Sequence, residues 1–283
     1  MIPPLIWCRG EIVPDDVLRV SVLDRTFEHG LGLFETFRTW NGHPTLLSLH
    51  VERMERSARE LCLTVDPNHL PDTAAVFHLI EANRASLTPG RDVRLRLTLS
   101  GGCVTTVASC STFWMTAGPL PPTREAGVII TETCQVPDDD CLARHKTLNY
   151  WRMRIAHASG AANRSDDVIC LTPGGFICET CRANIFLIEA GRVYTPGLGG
   201  PLLPGIMRAV VLARARHLGL EAVECLLPLD RIRTAAEAFL TSSLRGMLPV
   251  TRLLDRELPS PGPVTRQLWR YVSNWLEAGG KSS

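Results

Sequence analysis

The rarest charged side chain in this sequence is lysine, and one lysine lies in the middle of the chain. Of the 30 lysine and arginine residues, only Lys146 and Lys281 are lysines. Arginine occupies nearly every other cationic position of the chain. The lysine in the middle is therefore predicted to have a function that a guanidinium cannot perform. Forming an imine with a carbonyl is such a task, because it needs an amine that can lose its proton. A stray surface lysine is the alternative interpretation, and the neighbouring residues must decide.

The residues after Lys146 suit the binding of pyridoxal phosphate. Tyr150 follows four residues later, so that in a helix the amine and the phenol share one face. The phenol could then hydrogen-bond the 3-oxygen of the ring while the amine forms the imine. Glu179, at the end of a predicted strand, could keep the pyridine nitrogen protonated.

A phosphate group needs cationic or N–H partners, and three segments could supply them. A helix predicted to begin at Pro204-Gly205 presents free backbone N–H groups at its start. Ser242 and Ser243 follow a predicted strand and offer hydroxyls. Arg53, on a helix of the first domain, could bind the phosphate through two nitrogens. Each feature is weak alone, and their order along the chain carries the information.

Hydrophobic periodicity predicts a mixed α/β chain that positions these residues. Helices are expected over 46–63, 72–86, a segment after Lys146, 204–217 and 264–276. Strands are expected over 18–22, 34–40, 93–99, 111–116, 128–133, 184–188 and 238–241, with a glycine-bearing loop over 24–32. A proline-rich run then predicts two domains: an N-terminal α/β domain over 1–117, a linker over 118–127 and a C-terminal α/β domain that binds pyridoxal phosphate over 128–283.

Composition excludes several classes of protein. With 283 residues, of which 45% are hydrophobic, the chain can bury a sizeable core. Thirty basic and 29 acidic residues nearly balance, which argues against a protein that binds nucleic acid or membranes by charge. No signal-peptide pattern starts the sequence, so we expect a cytoplasmic enzyme with reduced cysteines. Cys178-x-x-Cys181 lacks a second CxxC or a His-x3-His at zinc spacing, and no metal site is expected.

These residues, in this order, resemble the class IV aminotransferases, the fold-type IV group of pyridoxal-phosphate enzymes. The group contains branched-chain aminotransferases, D-amino acid aminotransferases and 4-amino-4-deoxychorismate lyases. The resemblance runs from about 24 to 250, which is most of the chain. Its motifs lie at 24–25, 30–36, 47–54, 146–150, 179, 183–186, 203–208 and 239–243.

The resemblance implies a fold, a cofactor and a set of site residues. The expected fold is the two-domain α/β (α+β) architecture of the D-amino acid aminotransferase type, and homodimers are usual. Lys146 would be the catalytic residue, forming the Schiff base with pyridoxal 5'-phosphate and moving protons at the substrate carbon. Glu179 would hold the pyridine nitrogen, Tyr150 would contact the 3-oxygen, and Leu203 would pack on the ring. The phosphate would be bound by Arg53, the backbone of Ile206 and Met207, Ser242 and Ser243.

The sequence indicates the cofactor more clearly than it indicates which reaction the enzyme catalyses. The cysteine-bearing segment over 177–184 and the Leu244-Arg245-Gly246 run are similar to 4-amino-4-deoxychorismate lyases, which eliminate pyruvate and leave p-aminobenzoate. The strand that reads Arg94-Leu95-Arg96 has neither the Tyr-x-Arg of branched-chain enzymes nor the Arg-x-His of D-amino acid enzymes. The lyase is therefore favoured, with an amino-acid transaminase of the branched-chain L or the D type as the alternative.

The two carboxylates of aminodeoxychorismate need cationic or N–H partners. Arg245 is the first candidate, Arg94 and Arg96 on one face of their strand come next, and Arg182 is the third. A binding protein that kept the fold without activity is a different possibility. Such a protein would be expected to lack Lys146 or Glu179, and both are present.

Overall fold

The computed structural model describes residues 4–88, 90–104, 109–121 and 127–280, so residues 122–126 of the predicted linker lie outside it. The chain folds into two compact units. The first consists of Met1–Pro121, His145–Asn149 and Leu276–Ser283, and the second of Pro122–Arg144 and Tyr150–Trp275. A single boundary at 118–127 does not reproduce this division, because the segment with Lys146 belongs to the first unit.

The first unit is built on an antiparallel sheet with helices from the intervening segments. Its helices are α1 (Arg25–His29), α2 (Leu47–Glu60) and α3 (Thr73–Ala82). Its strands are β1 (Leu5–Cys8), β2 (Glu11–Pro14), β3 (Gly32–Arg38), β4 (Val93–Ser100), β5 (Cys103–Val104), β6 (Ser109–Cys110) and β7 (Phe113–Pro119). The sheet order is β2-β1-β7-β4-β3, and β5 pairs with β6 separately.

Strand alternation and helix periodicity together set the two sides of this sheet. Leu95 and Leu97 of β4 are fully buried in the core, so Arg94 and Arg96 lie on the opposite face of the strand. Helix α2 buries one stripe along its length, which includes Met54, and it packs against β3. Strand β3 is therefore covered by α2 on one face.

Two local predictions in this unit were wrong. The expected strand over 18–22 does not form, and Arg19 instead binds the backbone carbonyls of Asp16 and Leu18. The expected loop over 24–32 contains α1. Asp24 caps this helix by accepting a hydrogen bond from the N–H of Thr26 at 2.8 Å, and Gly30, with φ 70°, ends it.

The described residues of the second unit form two sheets and three α-helices, the last of which ends two residues beyond the unit. The helices are α4 (Trp151–Ala162), α5 (Ile206–His217) and α6 (Pro263–Glu277). The strands are β8 (Val128–Ile130), β9 (Glu132–Gln135), β10 (Val168–Leu171), β11 (Phe176–Thr180), β12 (Asn184–Glu189), β13 (Arg192–Pro196), β14 (Ala222–Cys225), β15 (Leu227–Pro228), β16 (Glu237–Ser242), β17 (Gly246–Leu253) and β18 (Arg256–Glu257). One sheet has the order β15-β11-β10-β9. The other has the order β14-β13-β12-β16-β17-β18, with β8 also paired to β17.

A continuous apolar core joins the two sheets of the second unit. Ile169 and Ile177 from the smaller sheet pack in one cluster with Ile185, Leu240 and Val250 from the larger sheet. The middle strands β10, β12 and β16 are buried along nearly their whole length, as expected of strands covered on both faces. In the described residues, no helix combines the length and the apolar character needed to cross a membrane.

Candidate active site

Lys146 lies in an extended segment that pairs with β3. The N–H of Phe34 donates a hydrogen bond to the carbonyl of Lys146, and the N–H of Leu148 donates to the carbonyl of Gly32, both at 2.9 Å. Gly32 has φ 141°, and a Cβ there would lie 2.6 Å from Cδ1 of Leu148. Glycine alone permits this close approach. Strand β3 thus fixes the backbone from which the Lys146 side chain projects.

The helix expected after Lys146 forms as α4, but the pairing with β3 corrects the expectation that Lys146 and Tyr150 share one helical face. Helix α4 begins at Trp151 with Tyr150 as its N-cap residue, so residues 146–149 precede it. Lys146 and Tyr150 therefore do not share a helical face. The prediction used the spacing of four residues, whereas the backbone partner of Lys146 is a strand far earlier in the chain.

The amine of Lys146 lies over an aromatic ring that also carries an arginine. Nζ of Lys146 is 4.6 Å from the centroid of the Phe34 ring, and the guanidinium carbon of Arg96 is 4.0 Å from the same centroid. Both contacts have the geometry of cation–π interactions. Arg96 is half-buried, whereas Arg94 on the same strand face is exposed. Of these two candidate arginines, Arg96 is the one that shares its ring with the lysine amine.

Arg53 is held by a buried carboxylate that the sequence analysis did not assign. Its Nε and Nη2 donate to Oε1 and Oε2 of Glu35, each at 2.7 Å. His50, one turn earlier on α2, places Nδ1 2.7 Å from Oε2 of Glu35. A carboxylate only accepts hydrogen bonds, so Nδ1 carries the proton. The role of Arg53 toward phosphate stays a prediction.

Electrostatics favour the charged form of Glu35 and the neutral form of His50. Burial by itself would raise the pKa of Glu35, but the charge of Arg53 and the bonds with His50 outweigh it and lower the pKa to about 2. Burial lowers the pKa of His50, although Glu35 opposes this shift. The spacing of three residues from His50 to Arg53 on a helix facing β3 is the signal that could have revealed this triad.

In the second unit, Glu179 is buried within a small hydrogen-bond network. Its Oε2 accepts from Nδ2 of Asn184 and from the N–H of Leu203, both at 3.3 Å. Nδ2 of Asn184 also donates to the carbonyl of Leu203 at 2.9 Å. Glu179 and Leu203 were predicted for the site, and Asn184 is the residue that joins them. The structure therefore orients the Glu179 carboxylate through groups on two different segments.

Tyr150 is a protonated phenol held by the backbone. Its Oη donates to the carbonyl of Cys181 at 3.0 Å. Burial, followed by the negative charges of Glu179 and Asp167, raises the pKa of Tyr150 well above its ordinary value. The hydroxyl is therefore a donor at neutral pH.

The start of α5 and the end of β16 fit a phosphate-bearing cofactor. The side chains of Ile206 and Met207 are buried, and no side chain in the described part of the chain caps the helix. The first N–H groups of a helix have no partner within it. Helix α5 packs against β16. There, Oγ1 of Thr241 is buried with no hydrogen-bond partner among the described residues, and half-buried Ser242 follows.

Gly205 is a sensitive position in this arrangement. A Cβ on Gly205 would lie 1.9 Å from Oδ1 of Asn184, so Gly205→Ala must displace the amide that holds Glu179. We expect the free energy of unfolding to fall by about 1–3 kcal/mol, together with a loss of cofactor affinity. Gly199→Ala is the matched control, because no described atom beyond its chain neighbours lies within 4 Å of its Cβ position. Urea denaturation and cofactor titration of both variants check this, and equal behaviour would contradict it.

Arg245 and Arg182 occur together in the second unit. Arg245 lies in the turn between β16 and β17, where burial and then the charge of Arg182 lower its pKa. Nη2 of Arg182 donates to the carbonyl of Asp166 at 2.5 Å, and its Nε lies 3.6 Å from Oδ2 of Asp167. The charge of Arg182 therefore acts on Arg245, which follows Ser243 by two residues.

The fold and these residues have counterparts in known proteins. The family model for amino-transferase class IV matches residues 32–253. A putative branched-chain-amino-acid aminotransferase of Methanocaldococcus jannaschii is 29% identical over 273 residues, 93% of each chain. An aminodeoxychorismate lyase of Bacillus subtilis is 26% identical over 88% of this chain and 86% of that protein. The branched-chain aminotransferase of Thermoproteus uzoniensis, crystallised with norvaline, shares the fold with a TM-score of 0.87 at 24% identity, covering 98% of this chain and 96% of that one.

The chain belongs to the class IV aminotransferase family. It is an enzyme of the pyridoxal-phosphate-dependent kind, and its mixed α/β fold is that of the solved aminotransferases of this family. The expectations of fold, family and cofactor are confirmed.

Proposed function

We propose that this enzyme is a 4-amino-4-deoxychorismate lyase, which eliminates pyruvate from aminodeoxychorismate and leaves p-aminobenzoate. The observation that carries the proposal is the half-buried Arg245 in the turn that follows Ser242 and Ser243, where the charge of Arg182 acts with burial to lower its pKa. Aminodeoxychorismate carries two carboxylates, and a carboxylate is bound most strongly by guanidinium groups. A pair of arginines therefore suits this substrate better than an amino acid with one carboxylate and an apolar side chain.

The residues of the chain have distinct proposed roles toward the cofactor. When bound, pyridoxal phosphate supplies a conjugated ring that accepts electron density from the substrate carbon. Lys146 attaches the cofactor and afterwards carries protons at Nζ. The carboxylate of Glu179, oriented by Asn184, would keep the ring nitrogen protonated, and the Tyr150 hydroxyl would contact the ring oxygen.

The phosphate is proposed to bind to groups that the sequence already indicated. They are the N–H groups of Ile206 and Met207, the hydroxyls of Ser242 and Ser243, and the guanidinium of Arg53. Support comes from the uncapped start of α5 and from the buried Oγ1 of Thr241 without a partner in the described residues. For Arg53 it comes from Glu35, which binds Nε and Nη2 and fixes the orientation of the guanidinium plane.

Arg245→Ala should weaken substrate binding much more than cofactor binding. Losing a hydrogen bond to a charged group costs about 1.5–3 kcal/mol, so KM for aminodeoxychorismate should rise roughly 10- to 100-fold. Cofactor affinity should stay unchanged within measurement error. Arg252→Ala is the control, since Arg252 pairs with Glu257 on the surface. Steady-state kinetics and cofactor titration check this, and equal loss of both affinities would remove Arg245 from the substrate site.

Amino-acid transamination is the second candidate function. Most of the similar curated proteins are named branched-chain aminotransferases, including one of Thermotoga maritima that is 30% identical over 93% of each chain. Arg96, on the same ring as the Lys146 amine, could bind the single carboxylate of such a substrate.

Two assays on one preparation separate these functions. Aminodeoxychorismate is incubated with the enzyme and pyruvate is measured, and L-leucine or D-alanine is incubated with 2-oxoglutarate and glutamate is measured. Pyruvate formation with little glutamate supports the lyase. Efficient glutamate formation without pyruvate overturns it in favour of the transaminase, and the L or D preference then follows from the donor.

We also propose that the enzyme is a homodimer. Trp151, Ile155 and Ala158 form an exposed apolar stripe along α4, and Trp151 is 74% exposed. Apolar stripes of this kind mark interaction surfaces. Trp151→Asp should weaken self-association more than tenfold, because a central aromatic residue commonly contributes 2 kcal/mol or more. Phe77→Asp, at an exposed phenylalanine of α3, is the control. Sedimentation velocity checks both, and an unchanged dimer in Trp151→Asp would exclude this surface.

We also propose that the enzyme is located in the cytoplasm, which is a reducing compartment. The nine cysteines whose side chains are described are all free thiols. Disulfides form in oxidising compartments and are rare in the cytoplasm. Cell fractionation checks the location, and recovery of the enzyme in an oxidising compartment would contradict it.

A further inference from the structure

Three cysteines from separate segments of the second unit meet in one cluster. Cys134 of β9 and Cys170 of β10 are register partners in a parallel strand pair, and Cys181 directly follows β11. The N–H of Cys181 donates to the carbonyl of Val168 at 3.0 Å, which fixes the third cysteine beside β10. The three Sγ atoms all lie within 4.8 Å of one another, and those of Cys134 and Cys170 are 3.6 Å apart.

These distances match the requirements of a metal ion bound by three sulfur atoms. Sulfur ligands at about 2.3 Å from an ion lie roughly 4 Å apart in a trigonal arrangement. The Sγ atoms of Cys134 and Cys170 are 3.6 Å apart and no pair exceeds 4.8 Å, so small side-chain rotations bring all three atoms to bonding distance. The strands hold the Cα atoms in place, and the cluster needs no backbone rearrangement to close on an ion.

The chemistry of the donors selects a soft ion. All three ligands are sulfur atoms, and Sδ of Met153 lies 3.9 Å from Sγ of Cys170. In the described part of the chain, no histidine, carboxylate or fourth cysteine joins the group. Structural zinc sites almost always have four ligands, whereas thiolate and thioether donors favour monovalent copper. A three-sulfur site therefore fits copper(I) better than zinc.

Burial also suits such a site. Thiols bind a metal ion as thiolates, so an arriving cation would displace thiol protons into solvent. Cys134 is half-buried and the other two are buried, so an ion can enter at Cys134 and then be shielded from water.

We propose that Cys134, Cys170 and Cys181 bind one copper(I) ion. The site adjoins the residues assigned to the cofactor without using them. The carbonyl of Cys181 accepts from Oη of Tyr150, and Cys170 is the cross-strand partner of Glu179. An ion in the cluster would stiffen the backbone that orients both groups. This assignment departs from the expectation of no metal site, because the partners of Cys181 lie on neighbouring strands and not in a CxxC pair.

Anaerobic titration of the purified holoenzyme with copper(I), in competition with bicinchoninate, tests the proposal. One equivalent should bind tightly. Cys134→Ser, Cys170→Ser and Cys181→Ser should each weaken binding on the order of 100-fold or more, since even changes outside the ligand set cost 10- to 100-fold. Cys178→Ser is the matched control, because Cys178 is buried in the same apolar cluster but lies outside the sulfur group. Its copper affinity should equal that of the unaltered protein.

Several results would overturn the assignment. They are unchanged copper affinity in the three serine variants, equal loss in Cys178→Ser, or tight binding of zinc without binding of copper(I). A Cys134–Cys170 disulfide in protein purified without reductant, with no copper bound after reduction, would replace the metal site with a redox pair. If Cys170→Ser fails to fold, Cys134→Ser at the half-buried edge carries the test. X-ray absorption of the copper-loaded unaltered protein then counts the sulfur ligands, and three are expected.

Discussion

Lys146→Ala should reduce turnover by about a thousandfold or more, the largest effect expected of any single substitution. The amine forms the covalent attachment and transfers protons, and loss of either function costs orders of magnitude in rate. Lys146→Arg keeps a cation near the Phe34 ring but cannot form the attachment, so it should be as inactive as the alanine variant. Steady-state kinetics measure both, and activity in Lys146→Arg would contradict the covalent role.

The sequence offers an unusually clear control for this experiment. Lys281 is the one other lysine, and Lys281→Ala should keep full activity. Borohydride reduction of the holoenzyme followed by peptide mass mapping should place the cofactor on the peptide that contains Lys146. Finding it elsewhere, or retaining activity in Lys146→Ala, would remove Lys146 from its assigned role.

Glu35→Gln should be the most destabilising of the substitutions considered, with a loss of about 3–5 kcal/mol in the free energy of unfolding. The glutamine leaves the charge of Arg53 buried without its carboxylate, and breaking a buried ion pair from one side has this cost. Glu81→Gln is the control, because Glu81 and Arg84 pair on the surface and such pairs contribute under about 1 kcal/mol. Chemical denaturation of both variants measures the difference, and equal stabilities would contradict the role of Glu35.

The pH dependence of stability gives a second measure of the same carboxylate. Its pKa falls from an ordinary 4.5 to about 2 on folding, which corresponds to roughly 3 kcal/mol. A lowered pKa means that this contribution is complete above pH 4.5 and is lost as the pH falls toward 2. Glu35→Gln should therefore lose less stability than the unaltered protein between pH 5 and pH 3. Parallel stability curves over that range would contradict the lowered pKa.

The sequence predicts well those helices and strands whose ends are set by their own residues. Helix α2 was expected over 46–63 and α5 over 204–217, and the structure places them at Leu47–Glu60 and Ile206–His217. Helix α2 buries one stripe of its surface, and α5 begins directly after Pro204-Gly205 and ends before Gly219. Strand β4 was expected over 93–99 and forms over Val93–Ser100, because its apolar and polar residues alternate.

The features that the sequence does not predict depend on contacts between distant residues. Lys146 and Tyr150 do not share a helical face, because the segment around Lys146 hydrogen-bonds to β3 instead of joining α4. The sequence predicts Arg53 as a phosphate ligand, but its pairing with Glu35 depends on the packing of α2 against β3. Local spacing carries no information on such pairs, so the residue types of the site were predictable whereas part of their hydrogen bonding was not.

Successive side chains of β3 point to opposite faces of the sheet, so the strand does not tolerate a change in its length. Phe34 faces the Lys146 amine, and Glu35, the next residue, binds Arg53 and His50 on α2. Inserting or deleting one residue ahead of this pair would turn the carboxylate toward the amine and the ring toward the helix. Natural variation among relatives should therefore place insertions and deletions beyond the ends of β3.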